Sequence, residues 1–153
     1  MHSRIFQVSL NPIPEYEYFS EFDYYDHWFT NEIADYVDEN TDREDDINWL
    51  KTYANALIFD SDDNGEYFIV TSKEEYFKEK FAAFHKFLDI VKGYTLQEFA
   101  AGIYEMWGLK DAYEDKFGFY VDADGELMNL DSFIRRCVTN EKYYIGGTID
   151  YHF

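Results

Sequence analysis

The sequence predicts an α+β fold, a mainly antiparallel sheet with helices packed on it, in a single acidic domain over residues 1–153. Three observations carry this. Turns at residues 60–65 and 122–125, each ending in Gly, lie between short apolar runs, the pattern of β-hairpins. The segments after Ser72 and Thr95 repeat apolar residues at helical spacing. The regular strand–helix alternation of a doubly wound parallel sheet is missing.

Residues 3–10 alternate Phe6, Val8 and Leu10 with Ile5, Gln7 and Ser9, which reads as a strand with one apolar face, ended by Asn11-Pro12-Ile13-Pro14. Residues 15–26 interleave aromatic and acidic side chains without a clean period and read as an ordered loop packed by its rings. Phe29, Ile33, Tyr36 and Val37 fall at i, i+4, i+7 and i+8, the spacing of a buried helix stripe, with Glu32, Asp35, Asp38 and Glu39 projecting from the other side. Thr41-Asp42-Arg43-Glu44 has the form of a capping box and opens a second helix carrying Ile47, Trp49, Leu50, Tyr53 and Ala54. Residues 56–59 and 66–70 then pair as a hairpin across Asn64-Gly65. Ser72-Lys73-Glu74-Glu75 repeats the capping box and starts a long helix with Phe77, Phe81, Phe84, Leu88 and Val91 on one face, ending at Gly93. Thr95-Leu96-Gln97-Glu98 starts the next, with Leu96, Phe99, Ala100, Ile103, Tyr104 and Trp107 in helical register, and the two form an antiparallel pair. Residues 117–121 and 126–130 make a second hairpin, 131–138 a short helix, and 143–153 a closing strand bent at Gly146-Gly147.

Composition narrows the function. The 15 Phe, 15 Tyr and 3 Trp supply the apolar mass that disordered chains lack, and there are enough of them that some must remain near the surface. Against 13 Lys and Arg stand 32 Asp and Glu, a net charge of −19, which disfavours DNA, RNA and anionic membranes as direct partners. Residues 1–70 hold 17 of the acids and only three bases, Arg4, Arg43 and Lys51, so the first half is the strongly charged end. Cys137 stands alone, which excludes an intramolecular disulfide and a thiolate zinc site and fits a reducing compartment. No signal-peptide pattern opens the chain and no apolar run approaches a membrane span, so a cytoplasmic location is expected.

Motifs for catalysis or cofactors are weak. The sequence has no nucleophile elbow, phosphate loop or dinucleotide fingerprint, and nothing in it requires a cofactor. Asp60, Asp62, Asn64 and Gly65 match the first half of a calcium loop, but the twelfth position is Thr71 where a bidentate Glu is required, and a plain hairpin turn is the better reading. Asp23 to His27 could offer two oxygens and a nitrogen to a metal only if a sharp turn gathered them. Cys137 follows Arg135-Arg136, yet helix neighbours at those spacings do not face one another, so a buried structural thiol is expected.

The acids themselves form the leading candidate site. On the predicted helix, Glu32, Asp35, Asp38 and Glu39 would span about 10.5 Å, roughly one charge per 3 Å, close to the phosphate spacing along one DNA strand. Asp42, Glu44, Asp45 and Asp46 extend the run, and Asp60, Asp62 and Asp63 lie at the hairpin tip. In size and composition the chain resembles the small acidic nucleic-acid mimics directed against restriction or CRISPR nucleases, and the acidic immunity proteins that neutralise toxins. No motif identifies either family. The resulting expectation is a non-enzymatic binding or inhibitor protein whose acidic half occupies a basic groove of a nucleic-acid-binding enzyme or nuclease. An immunity protein against a basic nuclease toxin is the related alternative, and a metal-dependent hydrolase using Asp60, Asp62 and Asp23 the unrelated one.

Overall fold

The computed structural model describes residues 1–153. In chain order the elements are β1 (His2–Ser9), two 3-10 turns (Glu15–Glu17 and Glu21–Tyr24), α1 (Trp28–Glu32), β2 (Tyr36–Asp38), α2 (Arg43–Tyr53), β3 (Ile58–Asp62), β4 (Gly65–Ile69), α3 (Lys73–Lys92), α4 (Leu96–Ala101), α5 (Glu105–Tyr113), β5 (Tyr120–Ala123), β6 (Glu126–Asn129), α6 (Leu130–Arg136) and β7 (Lys142–His152). All seven strands join one sheet in the order β3-β4-β7-β1-β5-β6, with β2 also paired to β7. The fold class is the predicted α+β. Every strand pair is antiparallel except β1–β5, which is parallel in the register Ile5–Tyr120.

Strand β1 is buried on both faces rather than one. Phe6 and Val8 join α2 and α6 in a core of 17 buried residues that includes Ile47, Leu50, Phe68, Val121, Phe133 and Ile134. Ile5 faces the opposite layer, where Tyr24, Phe29, Val37, Tyr120, Ile149 and Tyr151 pack beneath α1 and the loop after β1. Phe29 anchors that layer, with its ring 4.7 Å from Tyr120 and 5.0 Å from Tyr151, both edge to face.

The bend predicted at Gly146-Gly147 is a bulge. Phe6 pairs with Thr148 and Val8 with Ile145, so β7 spends three residues where β1 spends two. Strand side chains alternate with period two, and one extra residue moves everything beyond it to the other face. Tyr143 and Ile145 therefore share a face with Thr148 and Asp150. The loop over the other face approaches both glycines: a Cβ on Gly147 would come within 2.9 Å of the Phe19 ring, and one on Gly146 within 2.5 Å of Gln7 Oε1. Gln7 fastens that loop, accepting from the Phe19 and Gly147 amides and donating to the Glu17 carbonyl.

Three local expectations are corrected. The helix over residues 29–37 stops at Glu32, because the Asp35 amide bonds the His152 carbonyl and residues 36–38 pair with β7 as β2. Helix α2 is capped by Asp42, whose Oδ1 accepts from the Glu44 and Asp45 amides, while the Thr41 hydroxyl turns to Asp46. The helix over 95–107 breaks at Gly102, where φ is +111°, into α4 and α5. Both hairpins and the Thr95–Glu98 capping box stand as read, while at α3 only the Ser72 half of the box forms, its hydroxyl accepting from the Glu75 amide.

Gly147→Ala is expected to destabilise the protein by about 1–3 kcal/mol through this overpacking. Urea unfolding should show a lower midpoint at unchanged slope. An unchanged midpoint would mean that the loop does not press on the bulge.

Candidate functional site

Along one flank of β7, β4 pairs with residues 142–144 and β2 with residues 150–152, which leaves a gap opposite the bulge. Arg43, the first residue of α2, fills it. Its Nε donates to the Gly146 carbonyl at 2.7 Å, and one Nη donates to the Ile145 carbonyl at 2.8 Å and to Glu66 at 3.0 Å. The end of β2, the start of α2 and the β3–β4 turn thereby meet around a single opening, with roughly 17–20 Å of β7 between its two borders.

The candidate acids are placed as follows. Glu39, Asp42, Glu44, Asp45, Asp60 and Asp63 are exposed, and Asp38 is half-buried at the end of β2. Glu32 ends α1 and Asp35 precedes β2, both exposed at the far end of that strand, with Asp35 Oδ2 3.2 Å from His152 Nδ1. Asp62 accepts from Lys142 at 2.8 Å, Tyr144 at 2.9 Å and the Asn64 amide at 2.9 Å. The Lys142 bond, with help from that amide and from Tyr144, holds its carboxyl below the usual range.

Asp46 is a correction to the acidic face. It is 3% exposed and accepts from Arg4, Thr41 and Thr148, so it belongs to the interior. Arg4 also pairs with Asp150 and lies over the Trp49 ring at 5.2 Å. The signal for this burial was present, since Asp46 lies four residues before Leu50 and eight before Ala54, on the stripe that α2 buries.

Two further groupings escaped the sequence reading. Glu21 and Glu39 exchange bonds, each carboxylate accepting from the other residue's amide at 3.1 and 3.3 Å, and no base pairs with either. Their negative charges are thus held side by side by backbone donors, with Tyr25 adding a hydroxyl to Glu21. Asp131, also 3% exposed, accepts from Tyr76 at 3.0 Å, Lys80 at 3.1 Å and the Asp115 amide at 3.2 Å.

A cavity of about 910 Å³ adjoins Asp131, between the end of α2 and the start of α3, lined by Tyr53, Asn55, Glu75, Tyr76, Glu79 and Lys80. Burial pushes the Tyr53 and Tyr76 hydroxyls up. Burial would lower Lys80, but Asp131 and Tyr53 outweigh it and keep the amine charged. Burial likewise raises the Cys137 thiol, away from the reactive thiolate. No buried side-chain nitrogen or oxygen lacks a hydrogen-bond partner.

No three His, Cys, Asp or Glu side chains are arranged to hold a metal ion. Asp23 caps its own turn through the Ser20 amide, Asp60 bonds the Ser61 amide, and Asp62 is engaged by Lys142. The three acids of the hydrolase alternative therefore each serve a local role. No helix is long and apolar enough to cross a membrane. No protein-family model, curated protein or solved structure matches this chain.

Two outcomes test these assignments. Asp46→Ala should cost about 2–3 kcal/mol, because it strips the half-buried Arg4 of one of its two anions and leaves the Thr41 and Thr148 hydroxyls without their acceptor, and chemical denaturation measures it. Asp115 is a carboxyl raised by burial, opposed by the Phe117 amide it accepts. A folded-state value above the unfolded one means that the native state binds more protons between the two, so stability falls as pH rises through that window. Asp115→Asn keeps the Oδ1 acceptor and should flatten this slope without lowering the melting temperature at pH 7. A large loss at pH 7 would show that Lys80 needs the charge.

Proposed function

We propose that this protein is a non-enzymatic binding protein whose acidic sheet flank occupies a basic, nucleic-acid-binding groove on a partner protein. One observation carries the reading: β2, α2 and the β3–β4 turn bring exposed acids from three separate elements to the same opening. Arg43 and Lys142 are already committed to Glu66 and Asp62, while Lys51 on α2 pairs with no acid and acts on Glu66 only through space. The flank thus keeps a surplus of unpaired negative charge on a backbone fixed by the sheet.

The surrounding chemistry suits nucleic-acid mimicry. Exposed rings of Phe22 and Tyr25 lie beside Glu21 and Glu39, offering flat apolar faces next to carboxylates as single strands offer bases beside phosphates. A nuclease toxin would satisfy the same chemistry as a restriction or CRISPR enzyme, and the identity of the captured partner distinguishes them. Long-range steering by such a surface raises association rates roughly 10–1,000-fold and falls with salt.

Immobilised protein should retain basic nucleic-acid-binding proteins from a cell lysate, released by competing duplex DNA and by raising salt from about 50 to 200 mM. Combining Glu39→Lys, Glu44→Lys and Asp63→Lys, one from each element, should abolish retention at unchanged circular dichroism. Reversing Glu74 and Asp89 on α3 alters net charge without touching the flank. Equal loss from that second variant would assign the effect to total charge and sink the proposed site.

A further inference from the structure

Beyond its first two turns α3 leaves the sheet. Lys73 donates to the Arg135 carbonyl, Tyr76 and Lys80 bond Asp131, and the Arg135 guanidinium lies over the Phe77 and Tyr113 rings at 4.7 and 4.1 Å. These contacts root the helix. Tyr76 is its one buried residue, and α4 and α5 bury none. Further out α3 packs against α5, where Gly108 admits the Phe87 ring: a Cβ there would come within 2.5 Å of it. The result is a two-helix arm reaching about 18 Å beyond that root, tipped by α4.

The arm is apolar along its open side. Two adjoining grooves of about 430 and 300 Å³ between α3 and α5 share Phe84 and Tyr113, and run from Phe77 and Phe81 to Met106 and Trp107. Phe81, Trp107 and Tyr113 are 63%, 68% and 56% exposed, and Leu96, Phe99 and Tyr104 near the tip 84%, 66% and 84%. At ~150–250 Å² per aromatic side chain, the five rings alone present roughly 650 Å². Summed over groove and tip, and with Leu96 and Met106, the arm's exposed apolar area approaches the ~800 Å² per partner of a stable interface.

Charge indicates what covers it. Residues 73–113 hold six lysines and seven acids, a net of −1, so the rest of the chain carries −18 of the total −19. An anionic lipid surface would want surplus lysines, and a basic partner surplus acids. A nearly balanced arm on a strongly negative body suits a second copy of the same chain. Opposed arms can interleave lysines with acids, while their length separates the bodies by more than the ~8 Å screening distance at physiological salt.

We propose that two copies of this chain pair through the arm, α3 and α5 of each filling the groove of the other about a two-fold axis as a four-helix arrangement. The proposal is independent of the acidic flank.

Sedimentation of the whole chain from about 1 to 100 μM should give a mass twice the 18.4 kDa of one chain. Pairing should persist in about 0.5 M salt, where charge-driven capture by the flank is screened. Phe81→Glu and Trp107→Glu, both at exposed positions, should each weaken pairing at least ~30-fold, whereas Glu44→Lys should not. If either variant misfolds, amide exchange on the wild type decides, because α5 should become more protected as concentration rises. A monomer throughout, a dimer indifferent to both arm variants, or a monomer that binds phosphatidylcholine vesicles through Trp107 would each overturn the proposal.

Discussion

The fold depends on a change of parity in one strand. Strand β7 is central, flanked by β1 on one side and by β4 and β2 on the other, and its two halves must send different side chains to the same layer. The extra residue at Gly146-Gly147 permits this, placing Tyr143 and Ile145 in the large core and Thr148 and Asp150 beside α2 and Arg4. The bulge also interrupts pairing on one flank. The Ile145 and Gly146 carbonyls left there are taken by Arg43, which fixes where α2 begins and brings its acidic first turn to the opening.

The 32 acids divide into two populations with different physical roles. Asp46 and Asp131 are buried, each meeting a cation and hydroxyl donors, so the interior contains no uncompensated anion. Such pairs add little net stability over apolar packing, but losing one partner is expensive. The second population stays in water. Glu21 and Glu39 are the clearest case, because their carboxylates are held near each other by amides and no cation intervenes. The aromatic layers beneath, Phe29 against Tyr120 and Tyr151 on one side and Phe68 against Phe133 on the other, provide the cohesion that lets this charge be carried.

Local signals made much of this legible. Gly65, Asp124 and Gly125 fix their hairpins because those positions need positive φ, and Ser72 and Gly93 bound α3 because a hydroxyl cap and a glycine C-cap act within one turn. The segment from Phe29 to Val37 misled because Ile33, Tyr36 and Val37 suit a helix stripe and a half-buried strand alike. The choice was made by β7, more than a hundred residues away, which offers the His152 carbonyl to Asp35. The parallel β1–β5 pairing was invisible for the same reason. Among the candidate acids, Asp46 looked like its neighbours Glu44 and Asp45 because composition counts charges and ignores helical phase. The Glu21–Glu39 contact joins a turn to a strand end and leaves no trace in spacing.

Open strands carry unused hydrogen-bonding groups and can template the addition of further strands. Here β3 holds Asp60 and Asp62, β6 starts at Glu126 just after Asp124, and β2 ends in Asp38, followed by Glu39. Another chain sliding alongside any of these borders would have to bring its own carboxylates into register with them. The negative charge along these borders opposes sideways growth of the sheet into fibres.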